Sequence, residues 1–191
     1  MSLLDKIIAL DKSALIYLNN LGSERWDGFW LTITHQYNWI PLFVLMLFLI
    51  FKVYGFKKGL IILGIAAVLV AFTDQFVNLI KHTFERLRPN NDPAIKGLIR
   101  ILHTPHSFSF VSGHATNSTA NTLLIYLLLK KQFKYAWLFF AWPLVFAYSR
   151  IYLGVHYPID VLTGALLGLL LGFGFYKICL FVLGKVGTLK D

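Results

Sequence analysis

The sequence predicts an all-α protein: an integral membrane bundle of about five transmembrane helices with an N-terminal amphipathic helix at the interface. Two observations predict it. Of the 191 residues, 57% are hydrophobic and only 14% are charged, well above the apolar share of a soluble domain. The apolar residues also fall in runs of spanning length, separated by short segments in which lysines collect. With no internal repeat or low-complexity tract, the chain reads as one membrane-integral domain over residues 1–191.

Residues 3–19 place Leu4, Ile7, Ile8, Leu15 and Leu18 at helical spacing, with Asp5, Lys6 and Lys12 off that face. The charges Asp5, Lys6, Asp11 and Lys12 argue against a span and against a cleavable leader. An interfacial helix is expected instead. Asn19, Asn20, Gly22 and Ser23 then mark a turn. A first span is expected over 29–51, with a polar opening through Thr32, His35 and Asn38 and a kink at Pro41. Lys52, Lys57 and Lys58 make a basic loop before a second span over 59–79. That span turns polar at its end, where Asp74, Asn78, Lys81 and Glu85 share one helical face. Such groups should face protein or a wet cavity. Residues 87–110 form a proline- and asparagine-bearing loop, of a length that is usually functional or disordered.

A third span, 113–129, begins with the small and polar run Ala115 to Asn121, suited to close helix contact. A fourth covers 135–152, with Pro143 inside it, and a fifth covers 158–183. Gly164, Gly168, Gly172 and Gly174 predict tight packing of the fifth against a neighbour.

The net charge of +9 follows the topology rather than nucleic-acid binding. Five spans gather Lys52, Lys57, Lys58, Lys130, Lys131, Lys134, Lys177, Lys185 and Lys190 on one face, with Asp191 its only acid. By the positive-inside rule that face and the C-terminus are cytoplasmic. The N-terminal helix and the polar islands then lie on the outer face, periplasmic in a Gram-negative cell. One cysteine, Cys179, excludes an internal disulfide and a cysteine-built metal site.

Three polar islands share the outer face: Lys81 to Pro89, Phe108 to Ala115, and Ser149 to Asp160. An Arg, a His and an Asp beside hydrocarbon need partners or a task. The bland alternative for the third island is a membrane-edge turn with a snorkelling arginine. A histidine within reach of Asp160 is an oriented imidazole, able to act as a nucleophile or base. Lys81, Arg88 and Arg150 supply cations for phosphoryl oxygens. Ser112 and the amides of Gly113 and His114 stand where a helix begins, a ready anion site. His156 can attack phosphorus while Asp160 fixes its tautomer, and His114 can protonate the leaving oxygen.

The spacings Lys81-x6-Arg88-Pro89, Ser112-Gly113-His114 and Ser149-Arg150-x5-His156-x3-Asp160 resemble the three signature motifs of the type-2 phosphatidic acid phosphatase family. Glucose-6-phosphatase, bacterial acid phosphatases and vanadium haloperoxidases share that superfamily. The resemblance covers residues 60–175 and implies metal-independent dephosphorylation through a phosphohistidine, with no cofactor. It implies His156 as nucleophile, His114 as general acid and Asp160 as the partner of His156. Lys81, Arg88, Ser112, Gly113 and Arg150 become phosphate ligands, and Ser149 gives a supporting hydrogen bond. One departure is Val111, where the family usually has proline, which puts the loop's preorganisation in question.

The expected substrate is a lipid phosphomonoester or pyrophosphate in a bacterial cytoplasmic membrane, undecaprenyl pyrophosphate first. Phosphatidylglycerophosphate, phosphatidic acid and lipid A are the alternatives. Phosphotransfer to a hydroxyl, and a non-catalytic lipid-phosphate binder, are the competing functions. His82, His103, His106 and His114 lack the spacing of a zinc site. Asp74 is expected to pair with Lys81 or Arg86, and Arg86 to lie at the rim, where it could meet a second phosphate.

Overall fold

The computed structural model describes residues 2–188. Lys190 and Asp191, counted above on the lysine-rich face, lie outside it. Among the described residues there are helices and no strands. The helices are α1 (Leu3–Asn20), α2 (Glu24–Ile33), α3 (Ile40–Phe84), α4 (Gly113–Leu129), α5 (Ala141–Tyr152) and α6 (Pro158–Thr188). Short 3-10 turns at Gln36–Trp39, Pro89–Asn91 and Ala136–Phe140 join some of them. Two stretches, Gln36–Asn91 and Pro158–Val186, are long and apolar enough to cross a membrane.

The expected first span is divided. Residues 29–33 belong to α2, and the polar residues after them bend the chain: Asn38 Nδ2 and Trp39 Nε1 donate to Thr32 and Ile33 carbonyls. The basic loop expected at 52–58 is helical except at Gly55, whose φ of 72° breaks α3. Only a residue without Cβ adopts that conformation freely. A straight α3 of 45 residues would separate its ends by roughly 65 Å. Instead Ile40, Met46, Ile62 and Lys81 line one cavity, so the two arms run back alongside each other. Pro41 sits in the first turn of α3, where its missing N–H costs nothing. The expected fourth span begins as a 3-10 turn, and its α-helical part is α5.

Helix α4 is the centre. It is wrapped by both arms of α3, by α5 and above all by α6. A Cβ built on Gly164, Gly168 or Gly172 would come within 2.7, 2.5 and 2.5 Å of the carbonyls of Ser112, Thr116 and Ala120. The predicted glycine packing is therefore a backbone contact between α6 and α4. Gly174 takes no part: nothing lies within 4 Å of a Cβ there. The apolar core below this contact joins Ile50, Ile62, Leu69, Leu124, Leu128 and Cys179.

Helix α1 has an exposed first half and a second half with one buried face. Leu3, Leu4, Ile7 and Ile8 are exposed, whereas Asp11, Leu15 and Asn19 are buried. The buried face pins the loop between α3 and α4. Asn19 Nδ2 donates to the carbonyls of Arg100 and Tyr152, and its Oδ1 accepts from the Arg100 amide. Lys12 pairs with Asp92 at 2.7 Å, and Asp27 on α2 pairs with Arg100 at 2.6 Å. The long loop is thus ordered by charge from the N-terminal helices.

Candidate active site

Asp160 stands in the first turn of α6 and is fully buried. Arg86 Nη1 donates to its Oδ1 at 2.6 Å. Its Oδ2 accepts from Ser109 Oγ at 2.5 Å and from the Tyr157 amide at 3.0 Å. The other end of Arg86 meets Asp11 Oδ2 at 2.6 Å, and the guanidinium lies 3.9 Å from the Tyr157 ring centre. Asp11 also accepts from the Ile159 amide, satisfying a free donor at the start of α6. The sequence reading placed Arg86 at the rim; it is instead the bridge between two buried carboxylates. With both ends engaged, it is not disposed toward a second phosphate. Ser109 carried no assigned role, yet it holds Asp160.

His156 lies in the turn before α6, 2% exposed. Its Nδ1 is 3.4 Å from Asp160 Oδ2, and its Nε2 is 3.1 Å from Arg88 Nη1. A guanidinium can only donate, so Nε2 is the acceptor and Nδ1 carries the proton toward Asp160. The lone pair on Nε2 is the one a nucleophile needs. Burial pushes the His156 imidazole down to about 3, against the pull of Asp160, and Arg88 and Arg150 add to the fall. The ring is therefore neutral over the physiological range.

Arg88 is fixed by the far end of its own loop. Its Nε and Nη2 donate to the carbonyl and hydroxyl of Ser107 at 2.6 and 2.9 Å. Arg150, on α5, donates from Nη1 to Thr34 Oγ1, while its buried Nε has no partner. Lys81, Arg88 and Arg150 are close enough to feel one another's charge. Three crowded cations and an unspent buried donor are what an anion would relieve.

Ser112 caps α4 through its side chain, and its amide is spent on the Asp160 carbonyl at 3.0 Å. The amides of Gly113 and His114 are not taken up by a neighbouring acceptor among the described residues, so these two can receive an anion. A Cβ on Gly113 would meet only Val77, at an ordinary 3.6 Å, so packing does not require glycine there. The His114 ring stacks on Phe146 at 4.7 Å and faces the cavity. Ser149 donates to Phe146 O in its own helix. Val111 is buried and follows a cis peptide bond; Phe110 beside it packs on Phe84, and Phe108 on His82. His103 and His106 are exposed on the loop. Asp74 accepts from Asn117 Nδ2 at 2.5 Å, in place of the expected pairing with Lys81 or Arg86.

A cavity of about 800 Å³ opens between the arms of α3, α4 and α5. Lys81, Gly113 and His114 stand at its polar end, and Met46, Ile50, Ile62 and Ile125 line its apolar depth. Among the described residues, no group of three or more His, Cys, Asp or Glu is placed to hold a metal ion.

Comparison with known proteins gives a consistent picture. Residues 58–181 match the model of the PAP2 superfamily. The chain is 31% identical over 173 residues to a lipid A 4'-phosphatase of Bacteroides thetaiotaomicron, covering 88% of this chain and 76% of the relative. A lipid A 4'-phosphatase of Porphyromonas gingivalis is 28% identical, covering 93% and 76%. An undecaprenyl-diphosphatase of Sulfolobus acidocaldarius is 34% identical, covering 87% and 69%. Among solved structures, the transmembrane PAP2-type phosphatidylglycerolphosphate phosphatase of Bacillus subtilis superposes with a TM-score of 0.71 at 24% identity, covering 91% of this chain and 86% of that one. LpxE of Aquifex aeolicus gives 0.63 at 24%, covering 86% and 93%. These two likenesses speak to the fold.

Proposed function

The chain belongs to the PAP2 superfamily, and from that premise we propose that it is a membrane lipid phosphatase that hydrolyses a lipid-linked phosphate ester through a phosphohistidine. The observation that carries this reading is the His156 Nε2 lone pair facing Arg88 while Nδ1 faces Asp160. Phosphate enters among Lys81, Arg88 and Arg150 and takes the Arg88 guanidinium from the imidazole. Nε2 attacks phosphorus and the bond from phosphorus to the lipid oxygen breaks. His114 gives its proton to that oxygen. Asp160 stabilises the charge left on His156. Water, deprotonated by His114, then attacks phosphorus, and the P–N bond breaks to release phosphate and restore the neutral imidazole. The cations spread over the equatorial oxygens stabilise both transition states.

The lysine bias of the loops favours this site on the outer face of a bacterial cytoplasmic membrane, with the lysine-rich face inside. The apolar cavity beside it suits a substrate that stays in the bilayer. For the lipid, similarity to two lipid A 4'-phosphatases across most of the chain favours a phosphorylated saccharolipid over the polyprenyl pyrophosphate first expected. The test is phosphate release by detergent-solubilised protein from a panel of lipid phosphates, with EDTA and vanadate arms. Release that survives EDTA, stops with vanadate and is lost in His156→Ala supports the mechanism; near-wild-type release by His156→Ala removes the nucleophile.

A further inference from the structure

Asp74 has no part in the chemistry above, yet it is a carboxylate on a helix at membrane depth, an expensive position that needs a reason. It lies two turns, roughly 10 Å, along α3 from Lys81 and lines the same cavity with Asn78, Asn117 and Asn121. The hydrogen bonds of this group are lopsided. Asn117 Nδ2 is spent on Asp74 Oδ1, and Asn121 Nδ2 is spent on the Asn117 carbonyl. Asn117 Oδ1 is buried without a partner. One N–H of each of these two amides is spent inside the group, while Asp74 Oδ2 and Asn117 Oδ1 accept nothing among the described residues. A patch with an open carboxylate oxygen, two turns from Lys81, cannot itself be a phosphate site, because its carboxylate repels the phosphate oxygens. It fits a group that donates.

We propose that Asp74, Asn117 and Asn121 form a specificity subsite for hydroxyl or amide N–H donors on the part of the lipid next to its phosphate. This rests on the hydrolase reading and narrows its substrate class. A sugar carrying hydroxyl groups and amide-linked chains supplies several such donors at that depth. Phosphatidic acid and a polyprenyl diphosphate supply none beside the phosphoester. The subsite therefore acts on selection between lipids and leaves the reacting atoms alone. The competing role is structural, an Asp74–Asn117 bond that only joins α3 to α4.

The experiment compares kcat and KM for two probes with matched acyl chains: a diacylated glucosamine 4-phosphate with amide-linked hydroxyacyl chains, and phosphatidic acid. Wild type, Asp74→Leu and Asn117→Leu are measured in the same detergent. The expected result is a rise of about tenfold in KM for the glucosamine probe, the loss of one hydrogen bond to a charged acceptor, with phosphatidic acid turnover unchanged. Equal losses on both probes assign Asp74 the structural role and overturn the proposal, as does no loss on either. If wild type releases phosphate from neither probe, nor from any other lipid phosphate, the hydrolase reading falls first and takes the subsite with it. Asp74→Asn, which keeps the size and the bond partner, shows an intermediate KM if the charge contributes.

Discussion

On one side of Asp160, α6 meets α4 backbone to backbone; on the other, α1 and the loop after α3 reach it through charge. The first side is glycine at Gly164, Gly168 and Gly172 against the α4 carbonyls. The second is Asp11, Arg86 and Asp160 in a row, the two carboxylates shielded from water and the Arg86 side chain 23% exposed between them. Packing fixes where the two helices lie to a fraction of an ångström but selects no rotamer. The ionic row selects the rotamer, because two carboxylates without their guanidinium would be stranded. A catalytic carboxylate needs both: a fixed helix start and a fixed carboxylate plane.

That contrast can be broken at its strongest point by Arg86→Met. Losing the bridge should cost about 3–5 kcal/mol, read as a lowered melting temperature, and should take turnover with it. Adding Asp11→Asn to the variant should return part of the stability; no return would mean that Asp11 is not held by charge. Next comes Gly168→Val on the packing side. Its Cβ would meet the Thr116 carbonyl, a backbone atom that cannot swing away, so about 1–3 kcal/mol is expected. Gly174→Ala, in open space, should change nothing.

The pH dependence sharpens the comparison further. His156 is held neutral in the fold, far below its ordinary 6.5. As pH falls below 6.5 the unfolded chain takes up a proton that the folded chain refuses, so stability declines from there toward about 3. Asp11, raised chiefly by burial, works the opposite way at the acid end of that window. The difference between wild type and His156→Gln melting curves isolates the histidine; identical slopes would contradict its burial as a neutral ring. The smallest effect among the charge removals belongs to Asp27→Asn on the outer pair with Arg100. Pairs whose carboxylate is partly exposed are screened and contribute little, so this variant should melt closer to wild type than Arg86→Met.

Much of the site was legible because its residues recur at short spacings on adjoining elements. Lys81 and Arg88, Ser112 to His114, and Arg150 to Asp160 are each close in sequence, at a helix end and the loop beside it. Helix polarity alone brings those three stretches to one side. The partners of Asp160 were harder. Arg86 and Asp11 lie 75 residues apart, and no periodicity links them. One signal was available: Asp11 stands four residues from both Ile7 and Leu15, on the apolar face of α1, where a charge demands a partner. Ser109 had no such mark, since a serine in a loop is ordinary. The reversal of α3 was legible as two apolar runs, but its turn was hidden. Gly55 does by one positive φ what the lysines around it suggested a whole loop would do.

Asp11 also sets an order of events in biosynthesis. It is made in α1 and meets Arg86 from the middle of the chain, but its other partner is the Ile159 amide at the start of α6. Until Pro158 to Asp160 are in place, Arg86 can neutralise Asp11 but has no second carboxylate to bridge to, and the loop over His156 has no clasp. The first helix is thus finished by the last. A chain stopped before α6 keeps the Asp11–Arg86 pair but leaves the other end of Arg86 unspent beside an unfinished site.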